Sequence, residues 1–251
     1  MSGHSKWSTI KRKKGAEDAK RGKIFTKIGR ELSIAAREGG PDPEVNFKLR
    51  LVIEKAKQAN MPKDNIARSI RRGAGLEKGE ELEQVVYEGY GPGGTAMIVR
   101  ALTDNRNRAV ADIRRAFSRH GGNLGENGCV AWMFEYKGYV TIPLNGHDPD
   151  ELFMLAVDAG AEDVVVGEDT VEIFAEVSDF QAVQEALSGA EIEMETAELS
   201  MIPQTKMDLP PTQGIKVMGL VDSLDELDDV EKVYTNLNIT DEMFELYAQG
   251  N

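Results

Sequence analysis

Cysteine is nearly absent from this 251-residue chain, and the single Cys129 excludes an internal disulfide. With only His4, His120 and His147 beside it, a zinc site of about four ligands is excluded as well. Nowhere do about 18 apolar residues follow one another, so no membrane-spanning helix is expected. The basic first residues lack the apolar run of about 7–15 that a secretory signal needs. These absences lead us to expect a reducing, cytoplasmic setting, no membrane, and no metal or other cofactor.

Positive charge is also missing from most of the chain. The net charge is −13, but residues 1–73 hold 19 Lys and Arg against 8 Asp and Glu. Residues 74–142 are nearly balanced at 8 against 9, and residues 143–251 hold 3 against 26. Such segregation points to a polyanion, nucleic acid or a membrane surface, met at the basic end. The acidic end repels nucleic acid, so it can orient the basic arm, meet a basic partner or simply keep the protein soluble.

Residues 1–15 combine small polar residues, four consecutive cations and one Trp without an apolar period, and read as a disordered tail. From Glu17, Ile24, Ile28, Leu32 and Ala36 recur every four residues until Gly39-Gly40, the pattern of an amphipathic helix. A second helix is expected from an Asp42 N-cap and Pro43, burying Val45, Leu49, Val52, Ile53 and Ala56. Pro62 starts a third, with Ile66 and Ile70 inward and Gly73 as its stop. The period then shortens. Residues 85–87 and 96–102 read as a hairpin around GYGPGG, followed by a helix with Val110, Ile113 and Phe117 inward and a strand at 130–136. Strand 138–142, helix 149–159, strands 163–166 and 170–175, helix 179–188 and strand 191–201 spell βαββαβ, the ferredoxin-like split motif. Residues 203–211 cross over to helix 213–227 and a strand at 230–237, which need a sheet to join.

The expected fold is therefore α+β: an N-terminal helical bundle (1–78), a discontinuous α/β sandwich (79–137 and 204–240) and an inserted acidic ferredoxin-like domain (138–203).

Lys20, Lys23, Lys27, Arg30 and Arg37 share one face of the first helix, opposite the apolar stripe. A charged helix face is often only solvated. Here it continues from Lys11-Arg12-Lys13-Lys14 and is joined by Arg21, Lys63, Arg68, Arg71 and Arg72, which favours phosphate binding. Trp7 can stack on an unpaired base or dock on its own protein, while His4 and Lys6 can reach phosphates or 2′-hydroxyls. Arg106, Arg108, Arg114, Arg115 and Arg119 form an auxiliary patch partly neutralised by Asp112.

Catalysis finds no constellation. Gly89-Tyr90-Gly91-Pro92-Gly93-Gly94 satisfies G-x-G-x-x-G, but a strand follows where the dinucleotide motif needs a helix, and Pro92 offers no N–H. No histidine has a nucleophile or carboxylate pair at catalytic spacing. A non-enzyme without a small-molecule substrate, monomeric for want of any dimer-forming heptad, is expected.

Four segments, GHSKWSTIKRKKGAEDAKRGKIFTK, NMPKDNIARSIRRG, YEGYGPGGTAMIVRALTDNRNR and HGGNLGENGCVAWMF, closely resemble the YebC/PmpR family, and the resemblance runs over nearly the whole chain. Cys129 stands where that family's pattern has Ser. The resemblance implies three domains, one helical and two α/β. It implies nucleic acid as partner, through Lys6, Trp7, Lys11, Lys13, Lys14, Lys20, Arg21, Lys23 and Lys27. The family usually bears the label of DNA-binding transcriptional regulator. Its mitochondrial relatives resemble translational activators, and bacterial members are proposed to bind the ribosome and its RNA and to relieve stalling on proline-rich stretches. Neither role implies catalysis.

Overall fold

The structure, a computed structural model, describes residues 18–77 and 82–249. Three helices open it: α1 (Asp18–Gly39), α2 (Phe47–Gln58) and α3 (Lys63–Gly73). They close over Ile28, Leu32, Ala35, Ala36, Leu49, Ala56 and Ile66, a core drawn from one stripe of each helix and completed by Met61 of the loop between α2 and α3. The second helix starts later than its proline suggests. Asn46 is its N-cap, accepting from Leu49 N at 3.0 Å while its amide donates to Ala35 O and Gly40 O, both at 2.8 Å. That leaves Val45 outside the helix and 79 % exposed instead of in the core. At the other end Gly73 is obligatory, because a Cβ there would stand 2.1 Å from the Ser33 carbonyl oxygen of α1.

The middle unit is built on β1 (Glu83–Tyr90), β2 (Ala96–Thr103), α4 (Arg106–Arg119) and β3 (Asn123–Leu124). Its sheet is antiparallel in the order β3-β1-β2-β8, and β8 (Val230–Thr235) arrives from the far end of the chain. Helices α4, α7 (Pro211–Asp225) and α8 (Asp241–Gln249) cover one face, over Met97, Val99, Ile113, Phe117, Val217, Leu220 and Val233. This is the discontinuous α/β sandwich. Helix α8 lies past residue 240, where the sequence reading stopped, yet Met243, Phe244 and Tyr247 join this core.

Between β3 and α7 runs the inserted unit, β4 (Phe134–Pro143), α5 (Pro149–Asp158), β5 (Asp163–Val166), β6 (Thr170–Ala175), α6 (Phe180–Gly189) and β7 (Thr196–Pro203). Its antiparallel order, β5-β6-β4-β7, is that of the ferredoxin-like fold. The two strands expected at 130–136 and 138–142 are one strand, β4, paired with β6 and β7. A division at 137/138 therefore cuts a strand that belongs wholly to the second sheet.

Candidate nucleic-acid interface

The first helix was expected to present its cations to solvent. Part of that stripe instead faces the middle unit. Lys27 Nζ donates to Asp225 O at 2.6 Å, and Lys23 Nζ reaches Glu226 O at 3.4 Å and the Asp228 carboxylate at 3.9 Å. Asp225 is the last residue of α7, where unpaired carbonyls concentrate the negative end of the helix dipole, so a lysine ammonium is a natural partner. Arg30 donates to Asp228 O at 2.7 Å and meets the Asp229 carboxylate at 3.4 Å, while Arg37 donates to Leu82 O at 2.6 Å. Lys27, Arg30 and Arg37 thus join two units of the fold. Charge and period alone located the stripe, but acceptors of Lys23 and Lys27 lie 203 and 198 residues away in sequence.

We expect Lys27→Met to cost on the order of 1 kcal/mol and lower the melting temperature by about 2–4 °C. A thermal melt followed by circular dichroism checks this; an unchanged midpoint would show the helix-end contact to be idle.

The auxiliary patch is likewise partly spent. Arg108 grips buried Asp229 through two bonds of 2.9 Å and also meets Asp104 at 2.7 Å. Arg106 is paired with Glu83, and Arg115 stands 3.7 Å from Asp112. Arg114 and Arg119 are exposed and form no ion pair among the described residues.

What the structure leaves open is the outer face of α3. Arg68, Arg71 and Arg72 stand at i, i+3 and i+4, opposite Ile66 and Ile70, which pack towards α1. All three are exposed, and Lys63 is exposed at the helix start. Arg71 donates to Glu77 at 2.7 Å, and this bond holds the Glu77 carboxyl below its ordinary value, with Arg68 and Arg72 adding to the effect. Arg68, Arg72 and Lys63 form no ion pair among the described residues. Lys20 and Arg21 stand in the first turn of α1. His4, Lys6, Trp7, Lys11, Arg12, Lys13 and Lys14 lie outside the described residues.

One functional-looking arrangement was not anticipated. Glu88, on β1 and 6 % exposed, accepts hydrogen bonds from Gly128 N at 2.6 Å, Val130 N at 2.8 Å and Ala131 N at 2.7 Å. Burial alone would push this carboxyl up, but the three N–H donors outweigh it and hold it below its ordinary value near 4.5. Cys129 lies in the loop so clamped. The glycine-rich stretch after β1 is a tight turn, with Gly93 and Gly94 at φ of 73° and 82°, and it leads into β2. His120 caps α4 and meets Ser223 Oγ at 2.8 Å, a helix-end packing contact.

A cationic helical unit set before an α/β sandwich that carries an acidic ferredoxin-like insertion defines a three-part α+β protein of sharply segregated charge. The chain belongs to the TACO1/YebC family: residues 5–76 match the model of the TACO1/YebC N-terminal domain, and residues 82–237 that of its second and third domains. A relative from Desulfosudis oleivorans, named "Probable transcriptional regulatory protein", is 53 % identical over 98 % of this chain and all of its own length. One of the same name from Herpetosiphon aurantiacus is 51 % identical over 99 % of each. The crystal structure of a conserved hypothetical protein from Aquifex aeolicus superposes with a TM-score of 0.81 at 45 % identity, covering 89 % of this chain and 92 % of that one.

Proposed function

We propose that this protein is a regulator of gene expression that binds nucleic acid through its basic N-terminal third and performs no chemistry of its own. The observation that carries this reading is the exposed triad Arg68, Arg71 and Arg72, set in a segment of 19 cations against 8 acids. Phosphate contacts from residues 1–15, Lys20, Arg21 and this triad fix position on a polyanion without reading its sequence. The name of the relatives supports a transcriptional regulator as the working choice. Trp7, an aromatic side chain inside the cationic segment, favours the second reading, an RNA-binding factor at the ribosome, because bases that stack on aromatics are unpaired.

With about five phosphates neutralised, log affinity should fall against log salt with a slope of about −4.5 on duplex DNA and −3.5 on single strands. A titration showing no salt dependence would overturn the electrostatic reading. The two cellular roles separate by cross-linking in growing cells with sequencing of bound RNA and bound DNA. Discrete promoter peaks support the transcriptional role; ribosomal RNA reads clustered at one site, and lost on removal of residues 1–15, support the ribosomal one.

A further inference from the structure

The loop between β3 and β4 presents an indole that neither the charge pattern nor the hydrophobic cores use. Trp132 is 69 % exposed, yet its Nε1 donates to Cys129 O at 3.2 Å. Tyr90, 41 % exposed, donates its hydroxyl to the same carbonyl oxygen at 3.0 Å. The two polar tips meet at one acceptor, and that acceptor is fixed in turn. Glu88 holds the backbone on both sides of Cys129, and Cys129 N donates to Glu126 O at 3.2 Å. Both rings are therefore tethered by their polar tips while a large part of each stays exposed.

We propose that Trp132 and Tyr90 form a stacking platform for an unpaired nucleobase of single-stranded RNA, an inference that rests on the nucleic-acid reading above. Because the indole N–H and the phenol O–H are spent within the protein, the rings offer π-faces, which every base can meet, in place of hydrogen-bonding groups. The residues beside them do not extend an apolar surface: Asn123, Glu126 and Asn127 are exposed and polar, and Met133 turns into the core with Val130 and Phe134. A protein partner would need a broad buried patch, whereas one flat base needs only the rings. A cation stands on the same rim of the sheet. Arg119, exposed and without an ion pair among the described residues, ends α4 four residues before Asn123, which pairs with Tyr90 across β3 and β1. Glu126 repels phosphate at the loop itself, so the base lies over the rings and the backbone is displaced towards Arg119. Aromatic faces beside a cation are the elements with which single strands are held.

The test uses the full chain carrying Trp7→Phe, so that Trp132 is the sole indole, with every comparison made in that background. A mixed-sequence RNA of twelve nucleotides is titrated while protein emission and the anisotropy of end-labelled RNA are followed. Trp132 emission should fall with the anisotropy midpoint. Trp132→Ala should weaken binding of this RNA roughly 5- to 150-fold, Trp132→Phe should restore most of it, and binding of a blunt RNA duplex should be little changed. RNA binding with unaltered Trp132 emission and unaltered Trp132→Ala affinity would overturn the platform and leave the nucleic-acid reading standing. No RNA or DNA binding by either readout would overturn both.

Discussion

Replacing Glu88 by Ala should destabilise the protein by roughly 3–5 kcal/mol, a fall in melting temperature of about 10 °C. The carboxylate satisfies the N–H groups of Gly128, Val130 and Ala131, and removing it takes the acceptor from three part-buried or buried donors, of which Val130 N lies out of reach of water. Glu88→Gln should fall between, since an amide oxygen can still accept but its NH2 faces donors. The same contacts set a pH dependence. The folded carboxyl is held below its unfolded value near 4.5, so its contribution to stability is fully present above that pH. It is lost as pH falls through the folded value. Chemical denaturation between pH 7 and pH 3 should therefore show a steeper loss for the native chain than for Glu88→Gln. Parallel profiles would mean that the clamp contributes nothing to folding.

Patterning made much of this architecture legible, because burial repeats about every 3.6 residues in helices such as α1, while β2 shows as a short apolar run after a glycine-rich turn. Where reading failed, the cause was a partner distant in sequence. The strands expected at 130–136 and 138–142 are continuous, and β4 runs through Gly138. It is glycine because a Cβ would stand 2.3 Å from the Phe180 ring of α6, so it marks close packing and not a turn. Lys137, the residue between the two expected strands, is half-buried between Glu135 and Glu162 at 2.8 and 2.5 Å. Asn46 displaced Asp42 as a cap because its amide finds carbonyls of α1 and of the loop after it. On the candidate interface, composition identified the basic segment but could not tell cations that reach α7 from cations that reach solvent. Lys27 and Arg68 are chemically alike in sequence; only the position of the Asp225 carbonyl separates them. Glu88 was passed over for the same reason, since its three donors stand 40–43 residues further along. An acid inside the strand, directly before the glycine-rich stretch 89–94, was the available signal.

Reversing the α3 triad, Arg68→Glu, Arg71→Glu and Arg72→Glu together, should weaken nucleic-acid binding by more than about 100-fold near physiological salt. Each cation lost forfeits the counterion release that drives such binding, and each glutamate adds repulsion, so the change in charge is six units over one helical turn and a half. The slope of log affinity against log salt should flatten by about 2.7 on duplex DNA, three contacts at about 0.9 each. The fold should survive. All three side chains are exposed, the apolar face of α3 is untouched, and the one ion pair lost, Arg71 with Glu77, lies at the surface where such pairs contribute at most about 1 kcal/mol. Circular dichroism and a native-like melt confirm that the variant is folded before binding is measured. Replacing Lys27 by Met gives the contrasting case, with lower stability but little change in salt slope, since its ammonium is held by Asp225 O. If the triple variant binds as well as the parent while removal of residues 1–15 abolishes binding, the phosphate contacts belong to that segment alone. The outer face of α3 is then a solvated surface.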